Sequence, residues 1–212
     1  YAIAYPFGII GIILSMILIR FVFRIDPLKE DEEFRKLQTK SETLVSTLTL
    51  EVKNSNLHNL QIEKIPALKE SGVVISRVLQ KGVVQVAQPD TVIQLGDILL
   101  AVGPKEKLQE IRLIIGDISS VDIKSLPSKI TTKRIIVTNS NVLGKTVDEL
   151  EFLQTHDVTI TRVSRADIEF TPTSDFHLQF GDTVLAVGEE EAIKKITPEL
   201  GNSLKQLNHP QL

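Results

Sequence analysis

The sequence predicts an α+β protein made of two copies of one small module behind a single membrane-crossing helix, and three observations carry this. Residues 1–23 form a nearly unbroken apolar run whose one charge is Arg20. Shifting the 212-residue sequence against itself by 85 positions superposes 52–103 on 137–188 without a gap, with 17 identities in those 52 positions. Each copy then shows the same order of signals: strand, turn, short helix, hairpin, buried strand, closing helix.

The apolar run comes first. At about 1.5 Å per residue it is long enough to cross a hydrocarbon core of about 30 Å, and the Arg20 stem can snorkel from one end. Arg20, Arg24, Lys29, Arg35, Lys36 and Lys40 crowd its C-terminal side, while Tyr1 and Tyr5 mark the opposite interface. Positive charge collects on the cytoplasmic side, so residues after 25 are expected in the cytoplasm and residues 1–25 in the cell membrane. A signal peptide carries its charge before the apolar core, the reverse of what is seen. Tyr1 is no initiator, which suggests a piece of a longer chain. Residues 26–46 are charged, sparse in apolar groups, and read as a linker.

Within the copies, Thr47–Lys53 and Lys133–Thr138 are strand-like, and each runs into Asn-Ser-Asn. A short helix is expected next. Thr146 and Glu149 have capping-box spacing in the second copy, and the first copy ends its helix region near Pro66. Val73–Gln80 and Val158–Ser164 are strands turning at Lys81-Gly82 and Ala166-Asp167 into shorter ones. Gly96-Asp97 and Gly181-Asp182 make tight turns into the buried strands Ile98–Val102 and Thr183–Val187. A closing helix completes each copy, opened by Pro104 in the first and by Glu189, Glu190 and Glu191 in the second. Ile118–Ile130 reads as a linker, and the tail from Asn202 as a polar extension.

A formal charge of −3 with scattered Lys and Arg gives no stripe for nucleic acid, so no nucleic-acid partner is expected. Without cysteine there are no disulfides, thiolate zinc sites or cysteine nucleophiles. His58, His156, His177 and His209 lack metal spacing. Gly144-Lys145-Thr146 ends like a phosphate loop, but Asn139 stands where the first glycine belongs. No nucleophile has a neighbouring base in the pattern, so neither enzyme activity nor a cofactor is expected.

Arg77 and Arg162 are the candidate ligand-binding residues. Counting by twos places Arg77 with Val73, Ile75 and Leu79, and Arg162 with Val158 and Ile160, on the apolar side of each strand. A charge there needs a partner. The structural reading is an ion pair with an acidic turn residue such as Asp90 or Asp175; the functional reading is an anion or ligand contact at a module interface.

The pattern Val-Val-Ile-Ser-Arg (73–77), Pro-Asp-Thr-Val-Ile-Gln-Leu-Gly-Asp-Ile-Leu-Leu-Ala-Val-Gly (89–103) and its echo Phe-Gly-Asp-Thr-Val-Leu-Ala-Val-Gly (180–188) resembles the TrkA-C domain, the C-terminal half of regulators of potassium conductance (RCK_C). The resemblance divides the chain into a membrane helix (1–25), a charged linker (26–46), TrkA-C domain 1 (47–117), a linker (118–129), TrkA-C domain 2 (130–201) and a polar tail (202–212). Two such domains placed directly after a membrane segment that contains Ala-Tyr-Pro-Phe-Gly (4–8) are similar to the central cytoplasmic region of the aspartate:alanine exchanger family of membrane transporters. No Gly-x-Gly-x-x-Gly occurs, which departs from regulators that carry a nucleotide-binding half. The resemblance implies a regulatory, ligand-sensing or gating region that partners the membrane part of its own chain, forms a homo-oligomer and answers a small-molecule or ion effector. Its alternatives are regulation of potassium or other cation transport, or an oligomerisation scaffold without a ligand.

Overall fold

The computed structural model describes residues 45–203 except 167, 174 and 175, together with Leu14 and Ser15. The expected membrane helix and almost all of the charged linker lie outside the described residues, as does the tail beyond 203. Among the described residues no helix is long and apolar enough to cross a membrane.

The first module runs β1 (Val45–Val52), a one-turn α1 (Leu68–Ser71), β2 (Val74–Gln80), β3 (Val83–Val86), β4 (Ile98–Pro104), α2 (Lys105–Ile115) and β5 (Gly116–Ile118). The second runs β6 (Ile130–Ile136), α3 (Phe152–His156), β7 (Thr159–Arg165), β8 (Ile168–Phe170), β9 (Thr183–Glu189) and α4 (Glu190–Leu200). Their sheets have the order β3-β2-β4-β1 and β8-β7-β9-β6, with β5 added to the edge of β1. Neighbouring strands pair antiparallel throughout. The internal repeat is thus a repeat of topology: two tandem α+β modules.

One face of each sheet is covered by its closing helix. Leu108, Ile111 and Ile115 of α2 pack with Leu50, Ile75, Val78, Leu99 and Ala101. Ile193, Ile196 and Leu200 of α4 do the same over Ile135, Ile160, Val163, Val184 and Ala186. Spacing of three and four residues along the helices, against alternate residues along the strands, produces these two faces.

Three signatures in the sequence have structural causes. Asn54 accepts the Asn56 N–H through Oδ1 and donates through Nδ2 to the Ile114 carbonyl at the end of α2; Asn139 repeats this with Asn141 and Glu199. The Asn-Ser-Asn turns therefore clasp the closing helices, and each leads into a 3-10 turn, Ser55–Leu57 or Ser140–Val142, in place of the expected helix. The first α-helical turn starts after Pro66, at Leu68, whereas the sequence pattern ends the helix region there. The Val-Gly ending of the buried strands reflects close packing, since a Cβ on Gly103 would lie 2.9 Å from Val73 Cγ2 and one on Gly188 3.0 Å from the Asp157 carbonyl oxygen.

The capping box forms as its spacing predicts. Thr146 N–H donates to Glu149 Oε2 at 2.7 Å, and Glu149 N–H donates to Thr146 Oγ1 at 3.3 Å. The first of these bonds holds the Glu149 carboxyl below its ordinary range. The same arrangement removes the phosphate-loop reading, because the Gly144 N–H is already bonded to the Leu178 carbonyl. Thr146→Ala is expected to lower stability by about 1 kcal/mol, read as a shift in the urea midpoint. An unchanged midpoint would show that the box contributes nothing here.

Candidate functional site

The second face of each sheet is turned toward the other module. β2 lies against β7, and β3 against β6. Gln88 Nε2 donates to Asp157 Oδ1 and, at 3.4 Å, to the Leu153 carbonyl. The positions 85 residues away from that pair, Thr173 and Gly72, also meet: a Cβ on Gly72 would lie 3.2 Å from Thr173 Cγ2. Paired contacts of this kind describe a pseudo-two-fold arrangement in which the copies associate with each other, as isologous interfaces do.

Arg77 and Arg162 are placed near that axis by a bulge. The pairing of β2 with β4 shifts between Ile75 and Arg77, and that of β7 with β9 between Ile160 and Arg162. Ser76 and Thr161 are the extra residues, and their hydroxyls donate to the Leu100 and Leu185 carbonyls at 3.2 and 3.3 Å. An extra residue reverses the alternation. Ile75 and Val78 therefore both face the core, while Arg77 pairs across with Leu100 on the opposite face. This corrects the count by twos, which put Arg77 with Val73 and Ile75: the arginines face the other module.

Between the two second faces is a cavity of about 440 Å³. Arg77, Lys124 and Arg162 line it with the threonines 47, 131 and 132, over apolar walls that include Leu100 and Leu185. Among the described residues no carboxylate lines it. Lys124 comes from the segment between the modules, which is anchored rather than free: Ile123 is fully buried with Val84 and Leu100, against partly buried Leu79, Leu126 and Ile130.

The two arginines are compensated differently. Arg162 Nη1 meets Glu169 Oε2 at 2.7 Å with 22% of its side chain exposed, and Arg134 Nη2 shares the same carboxylate at 3.2 Å. The position matching Glu169 in the first module is Val84, so Arg77 has no such partner. Arg77 is 5% exposed, and its Nε has no hydrogen-bond acceptor among the described residues. Burial pulls its guanidinium below the ordinary value, and the exposed Asp122 offsets part of that. Asp122 thus stands near Arg77 where Asp90 was expected, and Glu169 pairs with Arg162; the other expected partner, Asp175, lies outside the described residues. Lys124 was not singled out from the sequence, where it looked like one more linker charge. Burial lowers its ammonium, and Arg162 and Arg77 push the same way against Asp122. Its Nζ donates to Thr47 Oγ1 at 3.0 Å.

Asp97 and Asp182 belong to turns, away from the cavity. Each accepts a backbone N–H three residues back, from Gln94 or Gln179, and each meets the end of the hairpin's first strand, Gln80 or Arg165. Among the described residues no cluster of His, Cys, Asp or Glu has the geometry to hold a metal ion.

Family comparison matches the TrkA-C domain model twice, over residues 49–116 and 133–201, which together exceed half of the chain. The chain belongs to the TrkA-C domain family. The chain aligns along all 212 residues with a protein of Photobacterium profundum at 38% identity and one of Aeromonas hydrophila at 39%, both bearing the name "Putative transport protein". The chain spans 38% of the length of each of these relatives. Solved structures are more distant. An RCK domain with cda shares 23% identity over 34% of this chain and 99% of that one at a TM-score of 0.30. The GsuK RCK domain shares 11% over 75% and 64% at 0.36. Likenesses of that size add nothing to the family assignment.

Proposed function

We propose that this chain is the cytosolic regulatory region of a bacterial membrane transporter of the aspartate:alanine exchanger type, and that it binds and transmits rather than catalyses. The observation that carries the reading is the pair of TrkA-C modules with an open cationic cavity between them at their pseudo-two-fold interface, in a chain whose relatives are named for transport. In this reading residues 1–25 are a membrane helix of the transporter and the modules lie on its cytoplasmic side. An effector in the cavity biases the membrane part only if it binds one transport state more tightly than the other, because equal affinity shifts nothing.

The test is reconstitution of the parent transporter in vesicles, with and without residues 45–203, followed by aspartate–alanine counterflow. Removal of the modules is expected to change the rate at least about fivefold, the lower end of typical coupling between sites. Equal rates would overturn regulation and favour a scaffold, and absence of counterflow by the intact protein would overturn the exchanger assignment.

A further inference from the structure

We infer that the cavity between the modules binds a small oxyanion carrying about two negative charges, a phosphate or a dicarboxylate, with Arg77 as its anchor, Lys124 as its second contact and Arg162 as a reserve held back by Glu169. Three features point there. The charge balance at the cavity is uneven: three cations, Arg77, Lys124 and Arg162, line it, and the carboxylates nearest them are Asp122 and Glu169, the latter shared with the exposed Arg134. Neither carboxylate lines the cavity, so an anion entering it would meet the cations directly.

The second feature is the state of Arg77. A buried guanidinium is stable only when its donors and its charge are matched. Here, among the described residues, Nε has no acceptor and the charge is answered by the exposed Asp122 alone. The sister arginine shows what a satisfied site requires, a carboxylate on the neighbouring strand, and Val84 withholds it from Arg77. An oxyanion would supply the missing acceptor. Threonine hydroxyls in the lining suit its remaining oxygens, and Leu100, Val102 and Leu185 suit a short hydrocarbon body. A volume of about 440 Å³ falls in the lower half of the range of ligand pockets, roughly 300–1,000 Å³, which favours a small ligand.

The third feature is a route by which occupancy would be passed on. Lys124 and Asp122 flank the buried Ile123 on the segment joining the modules. An anion on Arg77 and Lys124 competes with Asp122 for the same cations, so binding repositions that segment. The consequence for transport rests on the regulatory function proposed for the modules, but binding itself is measured on the 212-residue chain alone.

The experiment is titration calorimetry of the 212-residue chain with inorganic phosphate and with succinate, using chloride at matched ionic strength as control. Saturable binding of one or both is expected, and which of them binds distinguishes phosphate from dicarboxylate recognition. Arg77→Gln should weaken it about tenfold to a hundredfold, the worth of one or two charge-assisted hydrogen bonds. Lys124→Gln, at a surface position that does not endanger folding, should weaken it by about tenfold. Glu169→Gln frees Arg162 and should tighten binding, which loss of a merely structural ion pair would not do. No saturable binding of either anion, or binding indifferent to Lys124→Gln and Glu169→Gln, overturns the inference. Failure here with a transport effect of module removal would leave regulation standing without this ligand; binding here without a transport effect would do the reverse.

Discussion

Asp182→Ala is expected to destabilise the second module by about 3 kcal/mol, and Asp97→Ala the first by roughly half of that. Both aspartates end the Gly-Asp turn, but their partners differ. Asp182 is 1% exposed and accepts a two-pronged contact from Arg165, Nε to Oδ1 and Nη2 to Oδ2 at 2.8 Å each, as well as the Gln179 N–H. Arg165 also lies over the Phe176 ring, 5.0 Å from its centroid. Removing the carboxylate leaves that guanidinium with its Nη2 bond to the His177 carbonyl, at 2.9 Å, and without its counter-charge, and leaves the Gln179 backbone donor unpaired. Because a third of the Arg165 side chain is exposed, water recovers part of the loss, which places the value at the low end for buried pairs. Asp97 meets the neutral Gln80 and the Gln94 N–H, so its removal costs ordinary hydrogen bonds. Hydrogen exchange assigns the losses to β7–β9 and to β2–β4 separately. An equal loss in both modules would show that the arginine contact adds nothing to the turn.

The pattern that made these turns readable is local. Glycine before aspartate, β-branched alternation and Thr-x-x-Glu each act within a few residues, so strands, turns and the capping box were legible, and the offset of 85 carried them into both modules. The bulges at Ser76 and Thr161 were not. A bulge adds one residue without a marker residue of its own, and a count by twos runs straight through it. That single step turned Arg77 from the core to the other module and moved its counter-charge from the turn residue Asp90 to Asp122. The anchored segment was hidden for another reason. Ile118–Ile130 has serines, Pro127 and charges, and one buried isoleucine makes no period to detect. The candidate arginines were found because charge within an apolar strand is conspicuous; Lys124 was missed because charge in a linker is not.

Ile123→Ala is expected to lower stability by about 3 kcal/mol and to loosen the modules from each other. Its side chain has no exposure and packs with Val84 and Leu100 on the face of the first sheet that looks toward the second module. Leu79, Leu126 and Ile130 close over it, and Ile130 is the first residue of β6. Truncation removes buried methyl and methylene groups and opens a hole beneath a segment that cannot collapse onto the sheet without dragging β6 along. The loss should therefore be unevenly distributed. Amides of β2 and β7, where the modules touch, should exchange faster, while β4 under α2 keeps its protection. Phosphate affinity should fall as well, since Ile123 fixes the place of Lys124. A uniform loss of protection across both sheets would mean that Ile123 supports the first module alone and plays no part in holding the cavity together.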